Sequence, residues 1–324
     1  MSLCINTITS EGMVLAADSR QTYKNRKGMS RIGSDSASKI FQLTDTVGIA
    51  ITGLAFLSER GTLKNISSFI ENFKTTHDLK KSNVEEIAKK LKNYFEKKYD
   101  YKPTLKQLSK NIKVDLESRQ FELLELEVDE KIGRIEFKFK DKEGKINTGA
   151  AGIDGLQFIV TGFNMDDSYQ SILVYIPGEI KVQRDSTKKG KQYGAGWIGQ
   201  TDVVTRMILG FDGRISNLPF VQKSIKSEGG EIINSQLRKL EYDIKWGTMT
   251  LQDGIDFSLL AIETTSAIQR FSDGIMADPG DMPGVGGPID VAVITKDKGF
   301  IWVKKKGLIV KNNKVDLESI KDLK

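Results

Sequence analysis

One cysteine and one histidine are all that this 324-residue chain offers for disulfides, thiolate chemistry and imidazole-bound metals. A lone Cys4 excludes an internal disulfide framework, which fits a reducing cytoplasm. With His77 the only histidine, no Cys/His ligand set for a soft metal exists, and neither metal nor cofactor is expected. No apolar stretch reaches the ~20 residues of a spanning helix, and the N-terminus lacks the regions of a signal peptide, so no membrane role is expected. A basic patch interleaved with aromatics is also missing. The net charge of +6 comes mainly from lysines spread through residues 73–112 and the tail 304–324. They alternate with acids, as in Glu85-Glu86-Ile-Ala-Lys89-Lys90, at spacings that set opposite charges on one helical face. That is not a nucleic-acid footprint.

The composition that remains, 39% hydrophobic with 28% charged residues, describes a soluble globular chain long enough to bury a sizeable core. Residues 3–9 and 12–17 are short β-rich runs about a turn at Ser10-Glu11, which predicts a hairpin. Residues 20–38 are polar and read as a loop. Lys39–Leu43 and Val47–Thr52 form a second strand pair around Thr44-Asp45. A helix is expected from Gly53 to about Thr75, and another over Asn83–Lys97 with Ser82 as its cap. Segments 118–128 and 133–139 alternate as strands do, and strands follow at 157–163, 170–175 and 179–184. The Gly-containing stretch Tyr193–Gly199 leads to helices at about 200–209 and 251–270, and Asp273–Gly287 reads as a loop. Strands at Ile289–Thr295 and Gly299–Val303 close the core. No linker or internal repeat interrupts this order, so a single layered α+β domain over 1–324 is expected, with insertions at about 100–150 and 211–246.

Several of these segments carry a resemblance. GMVLAADSR (Gly12–Arg20), SKIFQLTDTVGIAITGLA (Ser38–Ala55) and PIDVAVITKDKGFIW (Pro288–Trp302) look like those of a proteasome β-type subunit. The start Met-Ser-Leu-Cys resembles that of the bacterial proteasome-related family called Anbu. Ser2 and Asp18 are sixteen positions apart, and Lys39 and Gly53 fourteen, as in that family. The likeness is close over 2–75 and 285–305, loose over 157–210 and 250–270, and absent over most of the two insertions. The helical extension of α-type subunits is not seen ahead of the first strand. The resemblance implies a four-layer αββα sandwich of the N-terminal-nucleophile hydrolase type. It also implies a peptide or unfolded-protein substrate, a homo-oligomer built as a ring or helical stack, and an ATP-dependent unfoldase as a partner by analogy.

It assigns chemistry to four residues. Ser2 is the candidate nucleophile: small enough for Met1 to be removed, it would present a free α-amine that titrates near ~7.7–8.0 and serves as base for its own hydroxyl. A small residue after Met also suits processing alone, and the fixed spacing is what favours the nucleophile. Lys39 would lie close to the Ser2 hydroxyl and lower its proton affinity, with Asp18 orienting Lys39. An ordinary ion pair bridging two strands is the bland alternative, weakened because both residues interrupt apolar runs. Gly53 would offer its backbone N–H to a tetrahedral oxyanion. Arg20, two residues beyond Asp18, is a candidate supporting charge. Thr52 marks a possible edge for an extended substrate.

Two family features depart here. The turn that carries a serine in the family reads Gly194-Ala-Gly-Trp-Ile-Gly199, with Trp197 nearest that position. The Asp-x-x-Ser that ends the fourth helix reads Gln269-Arg-Phe-Ser272-Asp273-Gly274, which makes Ser272 and Asp273 displaced candidates. Cys4 is expected to pack as a small apolar residue and His77 to be a solvated helix end. An endopeptidase is the leading expectation. An amidase for small non-peptide amides and an inactive assembly subunit remain as alternatives.

Overall fold

The structure, a computed structural model, describes residues 2–25, 28–276, 278–279, 283–310 and 313–315. In chain order its two main sheets and their helices are β1 (Leu3–Ile8), β2 (Met13–Ala17), β3 (Ile40–Gln42), β4 (Val47–Gly53), α1 (Ile66–Thr76) and α2 (Val84–Lys98). They continue with β5 (Leu156–Phe163), β6 (Tyr169–Ile176), β7 (Ile180–Asp185), β8 (Gly194–Gly199), α3 (Asp202–Leu209), α4 (Leu251–Phe271), β9 (Asp290–Thr295) and β10 (Gly299–Lys304). The chain divides into two compact units, Met1–Ile40 with Lys188–Lys324, and Phe41–Thr187.

The first unit is built on a five-stranded antiparallel sheet in the order β8-β1-β2-β9-β10. Alternate residues of its strands (Leu3, Ile5, Val14, Ala16, Val291, Val293) form one core with Val204 and Ile208 of α3 and Ile255, Ala261 and Ile262 of α4. Burying each valine, leucine or isoleucine among them fully is worth roughly 1.5–3 kcal/mol. Helix α4 starts at a capping box between Thr250 and Asp253 and lies close to the sheet because residue 254 is glycine. A Cβ there would sit 3.0 Å from Thr9 and 3.2 Å from Val14. One turn further on, the Ser258 and Thr7 hydroxyls bond at 2.9 Å. The expected turn at Tyr193–Gly199 is instead the edge strand β8, paired with β1 from Leu3↔Gly199 to Ile8↔Gly194. Its glycines hid the strand, since Ile198 is its one β-branched residue. The loop 20–38 also contains a hairpin, Gln21–Lys24 with Ser30–Ser34.

The second unit repeats the plan, with the order β7-β6-β5-β4-β3. Val47, Ile49, Ile51, Phe158, Val160, Ile172 and Val174 pack against Phe69, Ile70 and Phe73 of α1 and Ile87, Leu91 and Phe95 of α2. The helix expected from Gly53 begins only at Ile66. A hairpin, Phe56–Glu59 with Thr62–Asn65, precedes it. Its two-residue turn has Arg60 at φ 51° and Gly61 at φ 77°, the left-handed pair that a tight hairpin requires. Asn65 then caps α1. The cap of α2 is Asn83 in a reciprocal box with Glu86, not Ser82, whose hydroxyl donates to the Asp78 carbonyl.

The insertion at 100–150 opens with a helix, Lys102–Ser118, and continues as a three-stranded sheet of Glu122–Asp129, Arg134–Lys140 and Ile146–Gly152. The strand expected to start at 118 starts at Glu122, because Leu105, Ile112 and Leu116 line a helical face that packs on Ile135. Residues 211–246 form two 3-10 turns, Gly213–Asn217 and Arg238–Leu240, and two short helices, Pro219–Glu228 and Gly230–Leu237. Most of the Lys-rich tail lies outside the described residues. Among the described residues no helix is long and apolar enough to cross a membrane.

Candidate active site

The hairpin of β1 and β2 sets the site. Cys4 pairs with Ala17, so the residue after β2, Asp18, falls beside Leu3. Asp18 N–H donates to the Leu3 carbonyl at 3.3 Å, and Leu3 N–H returns to Asp18 Oδ1 at 2.9 Å. Asp18 is 1% exposed. A carboxylate so placed is costly unless every lone pair is used.

Here they are. Oδ1 also accepts from Lys39 Nζ at 2.6 Å, while Oδ2 accepts from the backbone N–H groups of Arg20 and Gly286, each at 3.0 Å. Lys39, 6% exposed, makes a second bond from Nζ to the Arg20 carbonyl at 2.7 Å. Two of its three ammonium donors are thereby committed. Ser2, one residue before the Leu3 that bonds Asp18, is buried, and its carbonyl accepts from Gln200 N–H at 2.7 Å. Leu3 faces the helices, so the alternation of β1 puts Ser2 on the same side as Cys4, which is buried.

Arg20 grips Asp35 with two bonds, Nε to Oδ1 at 2.7 Å and a terminal nitrogen to Oδ2 at 3.1 Å. The hydrogen bonds raise the guanidinium above its ordinary value and hold the Asp35 carboxyl below the usual carboxylate range. The Arg20 side chain packs on the 283–288 loop: a Cβ at Gly286 would lie 2.7 Å from its guanidinium carbon. That loop is fixed from several sides. Gly286 O accepts from Ser19 N–H at 3.0 Å, and the Pro288 carbonyl accepts from Ser19 Oγ at 2.6 Å.

Of the residues singled out in the sequence, Ser2, Asp18, Arg20 and Lys39 thus gather in the first unit. Gly53 belongs to the second unit, at the end of β4, with φ 100°. A Cβ there would lie 1.9 Å from the Gly155 carbonyl oxygen, so close chain approach alone requires glycine. Ser272 and Asp273 are exposed beyond α4. The Ser272 hydroxyl donates to the Ile268 carbonyl at 2.8 Å, with no described bond to Asp18 or Lys39. Trp197 turns to the helix side of its strand, where Nε1 donates to Thr205 Oγ1 at 3.0 Å. Thr52 Oγ1 bonds Gln157 within the second unit at 3.4 Å, and His77 stacks on Phe73 at the end of α1.

Sequence reasoning missed Asp35, Gly286 and Gln269. Asp35 sits in a serine-rich run with nothing to mark it. The glycine pair at 286–287 was legible as a close-approach signal. Gln269 stood at the head of the stretch searched for an acid and a serine. Among the described residues no group of His, Cys, Asp and Glu is arranged to hold a metal ion.

No family model matches the chain, and no curated protein matches it. Among solved structures the chain is similar to that of an Anbu (Gly-1) mutant from Hyphomicrobium sp. strain MC1. The TM-score is 0.44 at 12% sequence identity, with 94% of this chain and 86% of that chain covered.

Proposed function

We propose that this protein is a proteasome-like N-terminal-nucleophile hydrolase that cleaves peptide bonds through an ester on Ser2. The observation that carries the reading is the buried Asp18–Lys39 pair, bonded to the residue that follows Ser2. Removal of Met1 frees the Ser2 α-amine. That amine takes the Oγ proton as Oγ bonds to the substrate carbonyl carbon. The third Lys39 ammonium donor polarises the hydroxyl, while Asp18 holds Lys39 in place. The C–N bond then breaks, the leaving amine takes the proton, and the acyl group stays on Oγ. A water activated by the same α-amine hydrolyses the ester. Gly53 is assigned the oxyanion N–H on sequence spacing, a role compatible with its need for glycine. The same reading takes the chain as one αββα domain, working in the cytoplasm as a homo-oligomer on peptides or unfolded proteins that an ATP-dependent unfoldase supplies.

The test is covalent labelling by a peptide β-lactone or epoxyketone, comparing wild type with Ser2→Ala and Lys39→Ala. Intact mass reports whether Met1 is absent. Label on wild type alone supports the mechanism; unchanged labelling of Ser2→Ala sinks it.

One observation favours a second reading, a catalytically inactive assembly subunit. At the position nearest the serine of the family's turn, strand β8 carries Trp197, which faces the helices, and the Ser272 hydroxyl donates to the Ile268 carbonyl. Retained Met1 together with an unlabelled wild type is the result this alternative expects.

A further inference from the structure

Two backbone segments hold the ends of the proposed reaction centre. Gln200, just after β8, donates its N–H to the Ser2 carbonyl at 2.7 Å, and Gly286, ahead of β9, donates to Asp18 Oδ2 at 3.0 Å. One side chain joins those segments. Gln269, in the last turn of α4, accepts at Oε1 from Gly284 N–H (3.0 Å) and Val285 N–H (2.9 Å) and donates from Nε2 to Gln200 Oε1 at 2.6 Å.

The chemistry fits an amide and few other groups. Two backbone donors fix which end of the Gln269 amide is oxygen, so the NH2 must point at Gln200, which then presents its own oxygen. Leucine, of similar size, would satisfy none of the three bonds. A carboxylate would keep the two backbone bonds, and the third as well once the Gln200 amide turns over to donate. The helix that carries Gln269 is itself held against β1 and β2 by the Gly254 contact and the Thr7–Ser258 bond. Its position is therefore referenced to the same strands that carry Ser2 and lead to Asp18.

We propose that Gln269 is a positioning residue, an amide clamp that fixes the Ser2 backbone relative to the Asp18–Lys39 pair. The clamp is a statement about position, and its effect on turnover rests on the hydrolase reading above. If that reading holds, displacing Asp18 against Ser2 acts on the chemical step and not on substrate binding.

The experiment compares wild type, Gln269→Leu, Gln269→Glu and Val204→Ala, a variant that thins the core of the same unit without touching the clamp. Amide hydrogen exchange is read at 200–202 and 284–286 alongside β-lactone labelling, peptide hydrolysis and melting temperature. Gln269→Leu should exchange about tenfold faster at both segments at once, with Gln269→Glu near wild type. The kcat should fall about a hundredfold in Gln269→Leu with KM held within about threefold. Unchanged exchange at either segment in Gln269→Leu overturns the clamp. So does an equal kcat loss in Val204→Ala at equal melting temperature, which makes the effect merely structural. A wild type that never labels, with exchange behaving as stated, defeats the hydrolase reading and leaves the clamp standing.

Discussion

The two units share a plan and differ in what they bury. Each is a five-stranded antiparallel sheet backed by two helices. The second fills its core with aromatics, Phe73, Phe95 and Phe158 all being fully enclosed. Its buried strand positions carry hydroxyls, on Thr52, Thr161 and Ser171, and a carboxylate, Asp185, which accepts from Thr187. The first places a carboxylate and an ammonium at the corresponding depth, joined at 2.6 Å and roofed by a glycine-rich loop. The desolvation of Asp18 and Lys39 is a cost that the proposed chemistry would account for.

That contrast can be broken by mutation. Ser2→Ala should abolish labelling and hydrolysis while leaving the melting temperature within about 2 °C of wild type, because only one side-chain oxygen is lost. Next in size, Lys39→Met strands the Asp18 carboxylate and should cost about 3–5 kcal/mol in urea unfolding. Combining it with Asp18→Asn should recover most of that stability with none of the activity. Phe158→Ala in the second unit should cost a similar roughly 3–5 kcal/mol through the cavity it leaves. Its labelling by β-lactone below the unfolding transition should persist, and equal loss of labelling in both variants would erase the distinction between the units.

The smallest effects are electrostatic and exposed. Asp35→Asn removes one arm of the Arg20 pair, 44% exposed at the carboxylate, and should cost under about 1 kcal/mol. Because the folded carboxyl sits below its ordinary 3.8, the contribution is complete above that pH and fades as pH falls through the depressed value. Wild type and Asp35→Asn should therefore converge in stability in strong acid. Glu59, held at about 2 by hydrogen bonds from Lys64 and Lys98, has the same sign and marks the second unit. Its contribution is full above 4.5 and lost toward 2, so Glu59→Gln should flatten the acid limb of the urea midpoint.

Much of this was open to reading. Alternating and apolar runs located the strands of both sheets except β8, whose glycines and single tryptophan mask a fully paired edge. The sixteen-residue interval singled out Asp18 because a two-strand hairpin fixes register, and Lys39 is found bonded to it. The insertions were harder. The tight turn at Arg60-Gly61 is an ordinary dipeptide until its backbone is seen, and the helix Lys102–Ser118 is mostly polar with a thin apolar face. Two other contributions were least legible, since Gly286 donates through its main chain and the Gln269 amide reaches partners distant in sequence, which residue type alone does not reveal.

The four donors on Asp18 arrive at very different times. Leu3, Arg20 and Lys39 leave the ribosome early, and Gly286 follows only after some 250 further residues. Strand β2 likewise waits for β9 to complete its sheet, whereas every strand of the second unit is made from one continuous segment. The inner segment can therefore fold while the outer one is still open. A nascent chain carries residues 2–40 without a finished charge cluster, and the carboxylate becomes fully ligated only once Gly286 has been made. Assembly order thus delays the completed charge cluster until the whole second unit has been made.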